Sequence, residues 1–235
     1  MLHFVQHDRR DMNIAVYSGS FNPLHIGHLA IIKHLVEKAG FNMVYLIVSP
    51  KNPLKDSISS DSARDRYNAA LAAVARHFSA RPIESTEKYG GHMPPPARGC
   101  LTEGKAGVSG IFSADSTTGK VKVDDIELTM PEPHYTIRTL DALREREPDN
   151  DFTFVMGADS LGDIRRWKDY TRILKEFGVA VFPRTGFNLE ALRIDLLEED
   201  PAYKITLLNA EMVDISSTTI REAIASGQDI SSWLM

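Results

Sequence analysis

Residues 13–28, NIAVYSGSFNPLHIGH, constrain this chain more than any other stretch. Ile14, Ala15, Val16 and Tyr17 make a short apolar run of the kind that suits a buried strand. Ser18, Gly19 and Ser20 are small, so a turn built from them lets backbone N–H groups approach a ligand. Pro23 stands where a helix would begin, a position that needs no N–H donor. Beyond it Ile26, Leu29, Ala30, Ile32, Leu35 and Val36 supply an apolar face at helical spacing, up to Gly40. His25 and His28 lie three apart and project from one face of the first turn. A strand, a glycine turn and a helix N-terminus together form an anion site, and two imidazoles beside it point to phosphate. On its own the pair also fits surface residues, a chance metal pair or core histidines satisfied by backbone. The rest of the chain has to decide.

Residues 43–49 (MVYLIVS) read as a second buried strand, and the proline-stiffened loop after it carries Lys51 and Lys55. Those lysines leave the carboxyl end of a strand, where open α/β sheets bind ligands, although two solvated lysines would look the same. Residues 61–78 read as a helix capped by Asp61, with Tyr67, Ala70, Leu71, Val74 and Phe78 facing inward. Residues 85–120 are rich in glycine and proline and lack apolar periodicity, which predicts an inserted, mobile loop. Order is expected to resume as a strand over 121–129, followed by a helix from Thr136, its cap, to about Arg146.

Residues 151–157 (DFTFVMG) form another buried run ending in Gly157, with Asp159 two residues on. Gly157 permits close backbone approach, and Asp159 can either accept hydrogen bonds from a ribose or cap the next helix. Trp167 sits among Arg165, Arg166 and Lys168, too polar a setting for a simple core helix face, and its indole can pack as core or stack on a planar ring. Residues 178–182 and 204–209 complete six strands. In residues 214–222, DISSTTIRE, Ser217 or Thr218 is positioned to cap a helix with Arg221 one turn inside, a second set of N–H groups, hydroxyls and guanidinium suited to phosphate. Strands alternating with helices predict an α/β fold with a Rossmann-like, doubly wound, mostly parallel sheet. Neither GxxxxGK[ST] nor GxGxxG is present, which weakens the common ATPase and dehydrogenase readings.

Composition narrows the partners. At 235 residues the chain can bury a full core, and its net charge of −5 argues against a general nucleic-acid binder. Cys100 is the single cysteine, so no intrachain disulfide can form, which fits a reducing, cytoplasmic setting. No apolar run approaches the roughly 18–20 residues of a membrane span. Residues 1–12 lack the features of a secretory signal and are read as a flexible extension before one domain, 13–235.

With both phosphate-type turns in hand, the motifs resemble a known family. Gly19-Ser20-Phe21-Asn22-Pro23-Leu24-His25-Ile26-Gly27-His28 is similar to the GSFxPxHxGH motif of the HxGH nucleotidyltransferase superfamily, and residues 215–221, ISSTTIR, resemble its ISSTxIR motif. Tyr135-Thr136 with Thr139-Leu140 resembles YTxxTL, and Gly157, Asp159 and Leu161 followed by Trp167 resemble GxDxL…W. Together these resemble the nicotinate-nucleotide adenylyltransferase family. The chain departs from it in carrying His134 where serine is usual, in its longer Gly/Pro-rich segment, and in stopping soon after the second motif.

The resemblance implies adenylyl transfer from ATP to nicotinate mononucleotide, giving deamido-NAD and pyrophosphate. It places ATP against Gly19, Ser20, Phe21, Asn22, His25, His28, Gly157, Asp159, Ile215, Ser217, Thr218 and Arg221. His25, His28 and Arg221 would stabilise charge in the transition state. Lys55, Tyr135, Thr136 and Trp167 would hold the mononucleotide. Mg²⁺ would arrive on the ATP phosphates with no protein ligand required. Nicotinamide mononucleotide or phosphopantetheine remain alternative acceptors, a nucleotide-binding regulatory module is the non-enzymatic alternative, and homo-oligomers are compatible with the family.

Overall fold

The computed structural model describes residues 12–50, 62–78, 119–210 and 217–235. Six strands appear among them: β1 (Asn13–Gly19), β2 (Met43–Val48), β3 (Val121–Asp124), β4 (Asp151–Gly157), β5 (Val179–Phe182) and β6 (Ile205–Leu207). They lie in the order β3-β2-β1-β4-β5-β6, and every neighbouring pair is parallel. The expected doubly wound α/β sheet is therefore present. Its strand order reverses between β1 and β4, where Tyr17 stands opposite Val155. Such a reversal opens a crevice at the carboxyl ends of the two strands.

The flanking helices are α1 (Ile26–Glu37), α2 (Ala63–Phe78), the short α3 (Ile126–Thr129), α4 (Thr136–Arg146), α5 (Ala158–Gly162), α6 (Tyr170–Arg172), α7 (Leu189–Glu199) and α8 (Ser217–Ala225). Because successive strand residues face opposite ways, β1 serves two cores. Ala15 and Tyr17 pack with Ile32 and Leu35 of α1 and with Ala70 and Val74 of α2. Ile14 and Val16 pack on the other face with Leu140 and Leu143 of α4 and Leu161 of α5.

Several local expectations need correction. Residues 121–129 are not one strand, because the Asp124 side chain accepts from the Ile126 N–H at 3.0 Å and turns the chain into α3. Helix α1 begins at Ile26 with His25 as its N-cap, so Pro23 lies in the preceding turn and is not the first helical residue. At α4 the N-cap position belongs to Tyr135, and Thr136 is the first helical residue. For α2 the observed cap is Ser62, whose Oγ accepts from the Asp65 N–H at 3.0 Å. Asp61 and the Gly/Pro-rich residues 85–118 lie outside the described residues, as do 1–11.

Beside the sheet edge, Asp124 is buried and receives a two-pronged hydrogen bond from Arg146, at 3.1 and 2.6 Å, with Lys122 Nζ 3.3 Å away. Burial opposes its charge, yet the Arg146 guanidinium and Lys122 hold its carboxyl below the ordinary range. Arg146→Ala should therefore destabilise the fold by about 1–3 kcal/mol in urea unfolding at pH 7, toward the low end because Lys122 remains. A carboxyl whose folded pKa is depressed stabilises at pH values above its unfolded pKa, and that contribution fades as pH falls through the folded value. The difference between variant and wild type should accordingly shrink on acidification.

Candidate active site

The turn after β1 is built tightly. Phe21 adopts a left-handed φ of 44° and is buried edge-on to Tyr17, with ring centroids 5.5 Å apart. A Cβ on Gly19 would come 3.1 Å from the Phe21 ring, so the turn leaves little room for a side chain there. Arg66 of α2 is buried and donates to the carbonyl oxygens of Ser20, Ser49 and Pro50. That guanidinium ties the turn, including Ser20, to the end of β2.

His25 is the N-cap of α1 and His28 lies in its first turn. Their rings stack with centroids 3.7 Å apart and planes 35° from parallel, and the Phe21 ring meets His28 edge-on at 5.1 Å. The His25 backbone N–H donates to His28 Nδ1 at 3.2 Å. A neutral His28 therefore carries its proton on Nε2, where it can serve as a hydrogen-bond donor. Burial lowers the His25 pKa to about 4, with the Arg184 charge adding to the effect. Burial, then His25 and Arg184, push His28 well below the ordinary histidine value. In the free protein at neutral pH the pair is two stacked neutral imidazoles.

The C-terminal motif reaches the same place. Arg221 of α8 donates to the Asn22 carbonyl oxygen at 3.0 Å and to Thr218 Oγ1 at 3.0 Å. Ser217 Oγ lies 3.5 Å from the Pro23 carbonyl oxygen. Residues from opposite ends of the sequence thus meet at the turn between β1 and α1. Ile215 lies outside the described residues, as do Lys51 and Lys55.

Across the crevice, β4 ends at Gly157. A Cβ there would displace the Asp159 carboxylate and come 3.2 Å from the Phe182 ring, so a side chain at this position would crowd both. Asp159 lies in the first turn of α5, whose N-cap is Gly157, and its Oδ1 stands 3.7 Å from Arg184 Nε. Trp167 is half-buried and packs edge-on against Phe154 at 5.8 Å, part of the core on that face. Tyr135 packs against the same core, and Thr136 opens α4 beside it. His134 is buried, and its Nδ1 finds no partner among the described residues.

The sequence reading missed Arg66 and Arg184. Arg184 follows Pro183 at the carboxyl end of β5, a position from which a cation can be suspected in this kind of sheet. Arg66 had no such signal, because it sits within an ordinary amphipathic helix and finds its carbonyls only through the fold.

A model of the cytidylyltransferase-like family matches residues 16–223, from β1 into α8. The chain belongs to the cytidylyltransferase-like family. Its relatives include the probable nicotinate-nucleotide adenylyltransferase of Flavobacterium johnsoniae, 31% identical over 93% of this chain and 90% of the relative. The protein of the same name from Flavobacterium psychrophilum is 32% identical over 93% and 90%. Among solved structures, Plasmodium falciparum nicotinic acid mononucleotide adenylyltransferase complexed with NaAD aligns with a TM-score of 0.64 and 18% identity, over 95% of this chain and 90% of that one. That last likeness is one of fold.

Replacing His28 with alanine is expected to lower turnover by about 10²-fold or more, the scale of losing one preorganised donor to developing charge. NMR titration of the free protein should find the His25 ring half-protonated near pH 4, and a bound triphosphate should move that midpoint upward.

Proposed function

We propose that this protein transfers the adenylyl group of MgATP to nicotinate mononucleotide, releasing pyrophosphate and forming deamido-NAD. The observation that carries the reading is the meeting of both motifs at one turn: Arg221, Ser217 and Thr218 of α8 dock where β1 runs into the His25–His28 turn. Relatives named as probable nicotinate-nucleotide adenylyltransferases supply the substrate class.

In this reading an oxygen of the mononucleotide phosphate attacks the α-phosphorus of ATP. The new P–O bond forms as the bond from the α-phosphorus to the bridging oxygen breaks, and the electron pair leaves with pyrophosphate. A phosphate monoester is nucleophilic by itself, so the protein need only position the reactants and stabilise charge. Gly19, Ser20, Phe21 and Asn22 form the turn over which the phosphates lie. His28, with its Nε2 proton, and His25 donate toward the phosphate oxygens. Arg221, Ser217, Thr218 and Ile215 hold the pyrophosphate end, while Gly157 and Asp159 take the adenosine ribose. Tyr135, Thr136, Trp167 and Lys55 receive the mononucleotide.

The side chains facing this crevice suit anions. Among the described residues there is no group of three or more His, Cys, Asp or Glu arranged to hold a metal ion. In this reading Mg²⁺ arrives with the ATP substrate, bound by phosphate and water oxygens, where it neutralises triphosphate charge. The described residues also include no helix long and apolar enough to cross a membrane.

The test is pyrophosphate release from MgATP with nicotinate mononucleotide, nicotinamide mononucleotide and phosphopantetheine offered separately. Nicotinate mononucleotide should give the highest kcat/KM. A preference for either other acceptor would reassign the substrate, and no release with any of them would favour a binding module.

A further inference from the structure

Glu127, in the short helix α3, is the least expected polar group in the interior. It is only 3% exposed, and no cation pairs with it among the described residues. Its Oε1 accepts from the Thr139 hydroxyl at 2.9 Å and lies 3.4 Å from Ser18 Oγ. Its Oε2 is buried and has no partner among the described residues. A buried carboxylate with one oxygen unsatisfied is costly to the fold, and apolar side chains would fill the space more favourably.

Its two contacts explain why it stands there. Ser18 immediately precedes Gly19 and the phosphate turn. Thr139 lies one turn into α4, with its hydroxyl 3.5 Å from the Tyr135 carbonyl oxygen. The far end of α4 is already fixed to the sheet by the Arg146–Asp124 pair, at 2.6 Å. Glu127 is left to hold the near end, through Thr139, beside Ser18 near the end of β1. We propose that Glu127 is a positioning residue: it locks the ATP-side end of β1 to the acceptor-side start of α4, and so sets how the acceptor phosphate meets the α-phosphorus. This rests on the function proposed above. Displacements on the order of 1 Å between reacting groups can cost about 10²-fold in rate, so one shared carboxylate oxygen can matter to turnover without touching substrate.

Wild type, Glu127→Ala, Glu127→Gln and Thr139→Val are compared by steady-state kinetics, by calorimetric binding of a non-hydrolysable ATP analogue alone, and by thermal unfolding. Glu127→Ala and Thr139→Val should each lower kcat at least about tenfold while the analogue's Kd stays within about threefold. Glu127→Gln keeps an oxygen that can accept from Thr139 and should recover most of the loss. Wild-type kcat in Glu127→Ala would overturn the proposal. So would a loss of analogue binding as large as the loss in kcat, the mark of general structural damage. Wild type is assayed on all three acceptors alongside: activity only with an acceptor other than nicotinate mononucleotide would overturn the substrate assignment, and the Glu127 comparison is then read on that acceptor.

Discussion

Everything at the site depends on the divergence of two neighbouring strands. β1 feeds α1, which packs on one face of the sheet with Ile32 and Leu35, whereas β4 feeds α5, which packs on the other through Leu161. The strands remain paired up to Tyr17 and Val155, and their connections then part. The opening that results is lined by helix starts and strand-end glycines. Helix starts offer N–H donors, and glycines let a ligand come close to the backbone. Such a junction suits an anion when the sequence supplies small residues, and Gly19 and Gly157 stand at the two strand ends.

The chemistry of that junction is shaped by burial. Two stacked imidazoles, enclosed by Phe21 and near the charge of Arg184, resist protonation in the free protein. Neutral histidine still donates through one nitrogen, and His28 has its donor fixed on Nε2 by the His25 N–H. A polyanionic ligand would reverse the local field and favour added protons. The pair is thereby suited to a substrate whose charge grows and shifts during reaction. Arg221 is engaged with Asn22 and Thr218, so it reaches the same turn already oriented.

Much of this was legible because it is local. The apolar run over residues 14–17, the glycine that follows and the helical spacing from Ile26 to Val36 each declare themselves within a few residues. The sheet type followed from alternation of such units. What could not be read depends on contacts between distant segments. Arg66 looks like any helix-surface arginine until the turns that follow β1 and β2 present three carbonyls to it. Glu127 sits where alternation suggested a strand, and the Asp124 side chain, by bonding the Ile126 N–H, bends the chain into a helix instead. The N-caps of α1 and α4 shifted for a similar reason: a proline or threonine marks the region of a helix start, while the surrounding turn decides which residue occupies the cap.

The central claim is that the His25–His28 turn and the start of α8 form one phosphate site. A crystal structure with a non-hydrolysable ATP analogue tests it most directly. The account predicts the triphosphate between the two histidines and α8, within hydrogen-bond distance of His28 Nε2 and the Arg221 guanidinium. Phosphates bound away from either motif, with Arg221 still engaged only by Asn22 and Thr218, would contradict it.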